Sequence, residues 1–202
     1  YYVPLRHAGG PNADEQHARE IIGPALAAHT HLSAHNGKFD LAILDGAGYP
    51  RPTLHFDTML AAYLLGEKGL GLKELAFNKL GWEMTPITDL IGSGRNQITM
   101  DQVETEPAGE YAAADVEATL RLELLFREEL EAREQRQLLE NIEIPLVPIL
   151  LKMEQAGIAL DADLLHDMSR QLEGQIDEIR TEIFEAVGHE FNINSPAQLA
   201  TV

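Results

Sequence analysis

Residues 31–65 read HLSAHNGKFDLAILDGAGYPRPTLHFDTMLAAYLL. Two short runs, His31 to His35 and Thr53-Leu54-His55-Phe56, have the composition of strands. Between them Phe39, Leu41, Ile43 and Leu44 recur as on a short helix, which Gly46 and Gly48 end. After the second run Asp57 is a good N-cap for a helix over Thr58 to Leu65. Strand, helix, strand, helix is the alternation of an α/β unit, and it sets the expected fold class.

Working upstream, Tyr1-Tyr2-Val3-Pro4-Leu5 reads as a further strand. Asn12 and Glu15 have capping-box spacing. Ala18, Ile21, Ile22, Ala25 and Leu26 then recur at helical spacing, with Pro24 placed to kink or shorten that helix. Downstream the texture changes, and no strand is expected after Leu70. From Thr105 the pattern is helical, with Val116, Leu120, Leu124 and Leu125 on one face and Arg127 to Gln137 as a solvated surface helix. Asn141 to Met153 is apolar and contains Pro145 and Pro148, so a helix starts or bends there. Gly157 is the expected helix stop. Leu164, Leu165, Met168, Leu172, Ile176, Ile179, Ile183 and Val187 form one amphipathic face, opened by Asp161 or Asp163. Ser195-Pro196-Ala197-Gln198 is a further helix start.

The 202 residues carry 15 basic and 33 acidic side chains, a net charge of −18, and no Cys. Zero Cys excludes a disulfide scaffold, a thiolate metal site and a Cys nucleophile. With 45% apolar and 24% charged residues the chain is globular in composition. It has no apolar run near the roughly 20 residues that span a bilayer and no signal peptide, so a cytoplasmic protein without membrane contact is expected. The acidity argues against a generic basic nucleic-acid binder. It is unevenly placed, however: residues 1–100 hold 8 basic and 10 acidic groups, residues 101–202 hold 7 and 23. This shift predicts two unequal parts, 1–137 and 138–202, and both ends read as cut from a longer protein.

Two clusters are suited to chemistry. His35-Asn36-Gly37-Lys38-Phe39-Asp40 falls where a strand gives way to a helix, the edge of an α/β sheet where ligands bind. There Asp40 offers a carboxylate, Asn36 an amide and Lys38 a cation; the same pattern also describes a polar turn with a capping cluster. Tyr111-Ala112-Ala113-Ala114-Asp115 places a phenol and a carboxylate at i and i+4 on one helix face, suited to a divalent cation and an oriented water. Alone, it also describes a surface Tyr beside a charge. Two-metal phosphoryl chemistry needs several carboxylates converging from different elements. The one Asp-x-Glu, Asp115-Val116-Glu117, lies on the expected helix, where residues two apart diverge. His29, His31 and His35 lack a fourth ligand at zinc spacing. Gly92-Ser93-Gly94-Arg95-Asn96-Gln97 lacks the Gly-Lys-Ser/Thr ending of a phosphate loop and reads as a tight turn in which Arg95 could touch a backbone phosphate.

Asn36-x-Lys38-x-Asp40, Phe56-Asp57-Thr58-Met59-Leu60 and Tyr111-x-x-x-Asp115, in that order, resemble the 3′–5′ exonuclease domain of the bacterial DNA polymerase I family (family A). Glu140 to Pro148 resembles the junction into its polymerase domain. Met153-Glu154-x-x-Gly157-Ile158-x-Leu160-Asp161 and Phe191-Asn192-Ile193-Asn194-Ser195-Pro196-x-Gln198-Leu199 are similar to its thumb. The resemblance implies a ribonuclease-H-like exonuclease domain over 1–137, without its first strands and first motif, and a linker with the beginning of an all-α thumb over 138–202. It implies a two-metal site of four carboxylates, magnesium or alternatively manganese, with Asp40 and Asp115 as catalytic metal ligands and Tyr111 orienting the water. Asn36 and Lys38 are implied as substrate-binding residues. The implied partners are a single-stranded DNA 3′ end at the exonuclease site and primer-template duplex at the thumb, bound by a monomer. The intact parent would copy DNA and excise mispaired ends, while these residues alone would be inactive. Two alternatives stand beside this reading: an exonuclease-like structural module without activity, and a ribonuclease D-like exoribonuclease. In the resemblance the bound cations neutralise phosphate, so the acidic balance no longer excludes nucleic acid.

Overall fold

A computed structural model describes residues 1–28 and 31–201 and separates them into two compact units, 1–155 and 156–202. The first unit opens irregularly and then runs α1 (Glu15–Ala28), β1 (Leu32–Ala34), α2 (Gly37–Gly46), β2 (Leu54–Asp57), α3 (Thr58–Leu64), α4 (Leu72–Leu80) and α5 (Ile87–Ile91). Two 3₁₀ turns, Gly94–Asn96 and Met100–Gln102, lead into the long α6 (Thr105–Ala132). Then come α7 (Arg136–Leu138), a π-helical turn (Leu139–Glu143) and α8 (Ile144–Ala156). The second unit holds α9 (Ala162–Val187) and α10 (Pro196–Leu199).

The α/β alternation of residues 31–65 forms as its pattern predicts. β1 and β2 pair in parallel, with Ala34 opposite Asp57 and Ser33 opposite Phe56, and an irregularity between Leu32 and Ser33. Among the described residues the sheet has only these two strands. A parallel pair needs covering helices, and α3 and α6 supply one cover. Phe56, Leu41, Leu75, Leu122, Phe126 and Leu130 are all at most 2% exposed and belong to one core. Burying side chains of this size contributes about 1.5–3 kcal/mol each.

Several sequence expectations need correction. Tyr1 to Leu5 is not a strand. Pro4 has no N–H for a ladder, its carbonyl accepts from Ala13 N, and Tyr2 instead lies against Gly109 and bonds His7 Nε2 at 2.6 Å. Asn12 does not cap α1. Its side chain clamps the backbone of His7, Asp14 accepts from His17 N at the helix start, and Glu15 pairs with Arg6. Pro24 sits inside α1 without ending it.

The buried face of α6 also differs from the expected one. Ala118, Leu122, Phe126 and Leu130 are fully buried, whereas Val116, Leu120 and Leu124 are 61%, 53% and 69% exposed. Two apolar stripes run along this helix, and α3, α4 and β1 cover only the first. The stretch after Arg127 is not a free surface helix either. Arg127 stacks 4.5 Å above the Phe56 ring, Arg133 donates to Leu65 O at 2.8 Å, and Leu130 and Leu139 are buried. At Pro145 and Pro148 the bend takes the form of the π-turn, in which Ile144 N reaches back to Leu139 O. Prolines remove the ordinary i→i−4 donors, and a π-turn is one way to absorb the change.

In the second unit Asp161 caps α9, accepting from Leu164 N at 3.0 Å. Gly157, at φ +69°, supplies the left-handed residue that stops α8. Ser195 caps α10, and Gln198 turns its side chain to Asn192 N. No helix among the described residues is long and apolar enough to cross a membrane.

Candidate active site

The site is built where β1 ends. Asn36 adopts the left-handed conformation, φ 63° and ψ 48°, and starts α2. A non-glycine residue there marks a tightly determined turn. One turn into α2, Asp40 lines a cleft of about 850 Å³. Tyr111 and Asp115 of α6 and Lys73 of α4 line the same cleft. His35, Phe39, Ile43, Val116 and Leu120 complete much of the lining. Asp40, Tyr111 and Asp115, predicted from separate segments, therefore meet in one cavity. Asn36 and Lys38 do not line it. Lys38 instead forms an ion pair with Glu154 at the end of α8. Glu117 points away from Asp115 and pairs with Arg121.

Electrostatics sets these carboxylates apart. Asp40 is partly desolvated and lies near the charge of Asp57, and both raise its pKa above the ordinary value. Burial likewise raises that of Asp115, while the Lys73 ammonium opposes the shift. Asp115 Oδ1 is buried and accepts no hydrogen bond. A buried acceptor without a donor is costly, and a hard cation is one group that would relieve it. His35 bonds Thr58 Oγ1 through Nδ1 at 2.9 Å, and burial lowers its pKa.

Two residues have roles here beyond the sequence reading, Lys73 in the lining of the cleft and Asp57 buried behind it. Lys73 Nζ lies 4.0 Å from the centroid of the Tyr111 ring and donates to Thr85 O. Asp57, read as a helix cap and as part of the Phe56 to Leu60 segment of the resemblance, accepts four backbone N–H groups. A lone Lys in an amphipathic helix carries no signal of its target. The position of Asp57 directly after a strand was the available signal for the second.

Residues 2–131 match the profile of the 3′–5′ exonuclease family of DNA polymerase A. The chain belongs to this family. DNA polymerase I of Chloroflexus aurantiacus is 43% identical across the whole chain, and that of Pseudomonas aeruginosa 34%. The chain spans 22% and 23% of their lengths. Among solved structures, the POL domain of Pol1 from M. smegmatis, in complex with DNA primer-template and dNTP, superposes with a TM-score of 0.64 at 26% identity. That match covers 89% of this chain and 28% of the other. Brucella melitensis NrnC with bound Mg2+ shares the fold, with a TM-score of 0.53 at 22% identity over 77% of this chain and 72% of the other. The chain thus resembles the exonuclease region of DNA polymerase I, and the exonuclease domain has the ribonuclease-H-like fold. Exonuclease domains of this family are generally dependent on divalent metal.

Hard oxygen donors on Asp40 and Asp115, one of them unsatisfied, fit such a cation. They do not complete a site: among the described residues no three His, Asp or Glu side chains converge as a metal cluster. His31 and His55 meet edge to face at 4.6 Å, and His29 lies outside the described residues.

Proposed function

We propose that this chain is the proofreading exonuclease region of a family-A DNA polymerase, followed by the start of the thumb. The single observation that carries the reading is the convergence of Asp40, Tyr111 and Asp115 on one cleft. The whole-chain likeness to DNA polymerase I supports it over a ribonuclease D-like activity. Residues 1–137 form the exonuclease part, and residues 138–202 form the linker and first thumb helices.

Asp40 and Asp115 would hold the divalent cations, magnesium or manganese. The remaining carboxylates come from outside these 202 residues. When bound, the cations supply a water of lowered pKa and a positive charge for the leaving 3′ oxygen. Tyr111 would orient that water by its phenol oxygen, and Lys73 lies against its ring. Asn36 and Lys38 flank the entering single strand, Lys38 after exchanging Glu154 for a phosphate. The product is a mononucleotide released from a DNA 3′ end. The parent acts as a monomer in the cytoplasm and also extends primers through parts outside this chain.

The experiment is a Mg2+-dependent exonuclease assay on end-labelled single-stranded DNA, run on these 202 residues and on the full-length polypeptide. Shortening is expected only from the full-length protein. Robust cleavage by the 202 residues alone would show that no outside carboxylate is needed and would overturn this account of the site.

A further inference from the structure

Asp57 has a burial that its role as the cap of α3 does not explain. It is 1% exposed, and among the described residues no Lys or Arg forms an ion pair with it. Four backbone N–H groups offset its charge. Oδ1 takes Met59 N at 2.9 Å and Leu60 N at 3.3 Å, the usual contacts of an N-cap. A serine hydroxyl would serve for those. The carboxylate does more: Oδ2 takes Gly37 N at 2.7 Å, and Oδ1 also takes Asn36 N at 3.1 Å. Asn36 and Gly37 open α2, so one side chain fastens the starts of two helices that leave neighbouring parallel strands. The aligned peptide dipoles of both helix starts favour a negative charge at that point.

Gly37 shows how closely this turn is fitted. A Cβ there would stand 2.8 Å from Leu54 Cδ1 and 3.1 Å from Ala34 Cβ. The turn packs closely against Leu54 and Ala34, and Asp57 binds its backbone N–H groups. Asp40 lies three residues further on, within the same first turn of α2. Its aim into the cleft is therefore fixed by the hold on residues 36 and 37.

Resting on the proposed function, we propose that Asp57 is the positioning residue of the cation site, fixing through Asn36 and Gly37 the direction in which Asp40 presents its carboxylate. Groups that orient a metal ligand without touching the metal are commonly worth 10–100-fold in metal affinity.

The test uses the full-length polypeptide with Asp57→Ser and, separately, Gly37→Ala. The first keeps the α3 cap and loses the second oxygen; the second displaces the same turn with Asp57 intact. Three quantities are read: Mn2+ binding by calorimetry without DNA, amide exchange at residues 36–40, and the Mn2+ concentration for half-maximal excision. Both variants should weaken Mn2+ binding and raise the half-maximal concentration about tenfold or more. Both should speed exchange at residues 36–40 and leave primer extension unchanged. Wild-type Mn2+ binding and wild-type exchange in Asp57→Ser would overturn the inference. If Asp57→Ser does not fold, Gly37→Ala decides it by the same criteria. Excision that persists in Asp40→Ala would instead overturn the proposed function, so the two failures are distinct.

Discussion

The ammonium of Lys73 sits 4.0 Å from the centroid of the Tyr111 ring, reaching across from α4 to α6. A cation over an aromatic face contributes about 0.5–2 kcal/mol, more as water is excluded. The contact fixes the ring of the residue proposed to orient the water. In the full-length polypeptide, Lys73→Met should lower the maximal excision rate about tenfold and leave the Mg2+ dependence close to wild type. Lys73→Arg, which keeps a stacked cation, should recover most of the rate. Steady-state excision kinetics on single-stranded DNA measure both.

Burial raises the pKa of Asp40 and of Asp115 above the ordinary carboxylate value. A carboxyl with a raised folded-state pKa favours its neutral form. It costs stability above that pKa, and the cost fades as pH falls toward the unfolded value. Asp115→Asn should therefore raise Tm in metal-free buffer at pH 7 by about 1–3 °C, the scale set by a fraction of 1 kcal/mol in a chain of this size. The gain should shrink as pH approaches 4. Thermal melts across pH follow it directly.

Cation affinity should carry the opposite sign of pH dependence. Ligand carboxylates must be ionised to bind, so raised pKa values bring the loss of metal to a higher pH than ordinary carboxylates would. Mn2+ binding to the full-length polypeptide should weaken progressively on acidification, ahead of any loss of helix signal. Calorimetry paired with circular dichroism separates the two events.

Leu120, which lines the cleft, and Leu124 are more than half exposed on α6, away from the covered stripe. Exposed substitutions ordinarily change stability by less than about 0.5 kcal/mol. Leu120→Gln should thus leave the Tm of these 202 residues within about 1–2 °C of wild type. Leu122→Ala, on the fully buried stripe, should cost about 2–5 kcal/mol. Parallel thermal melts of the two variants test which face of α6 carries the core.

The parts of this molecule legible in its sequence are those governed by local rules. The strand–helix alternation over residues 31–65, the Asp57 and Asp161 caps and the Gly157 stop all depend on neighbours within a few residues. Asp40, Tyr111 and Asp115 were legible as a group because their order along the chain matches a family, not because spacing alone shows that they meet. What the sequence left hidden depended on distant partners. Val116, Leu120 and Leu124 have the same periodicity as Ala118, Leu122 and Phe126, and only the placement of α3, α4 and β1 decides which stripe is covered. The expected strand at Tyr1 to Leu5 failed because strand composition does not supply a strand partner. Lys38 looked like a free cation until the fold brought Glu154 to it from 116 residues away.

The most direct test of the central claim compares full-length wild type with Asp40→Ala and Asp115→Ala on a primer carrying a mispaired 3′ end, with Mg2+ and without nucleotides. Each variant should lose mononucleotide release by about 10³-fold or more, a barrier increase of about 4 kcal/mol, while primer extension on a matched end stays near the wild-type rate. Excision by either variant at a rate close to wild type would contradict the assignment of Asp40 and Asp115 as the cation-holding carboxylates.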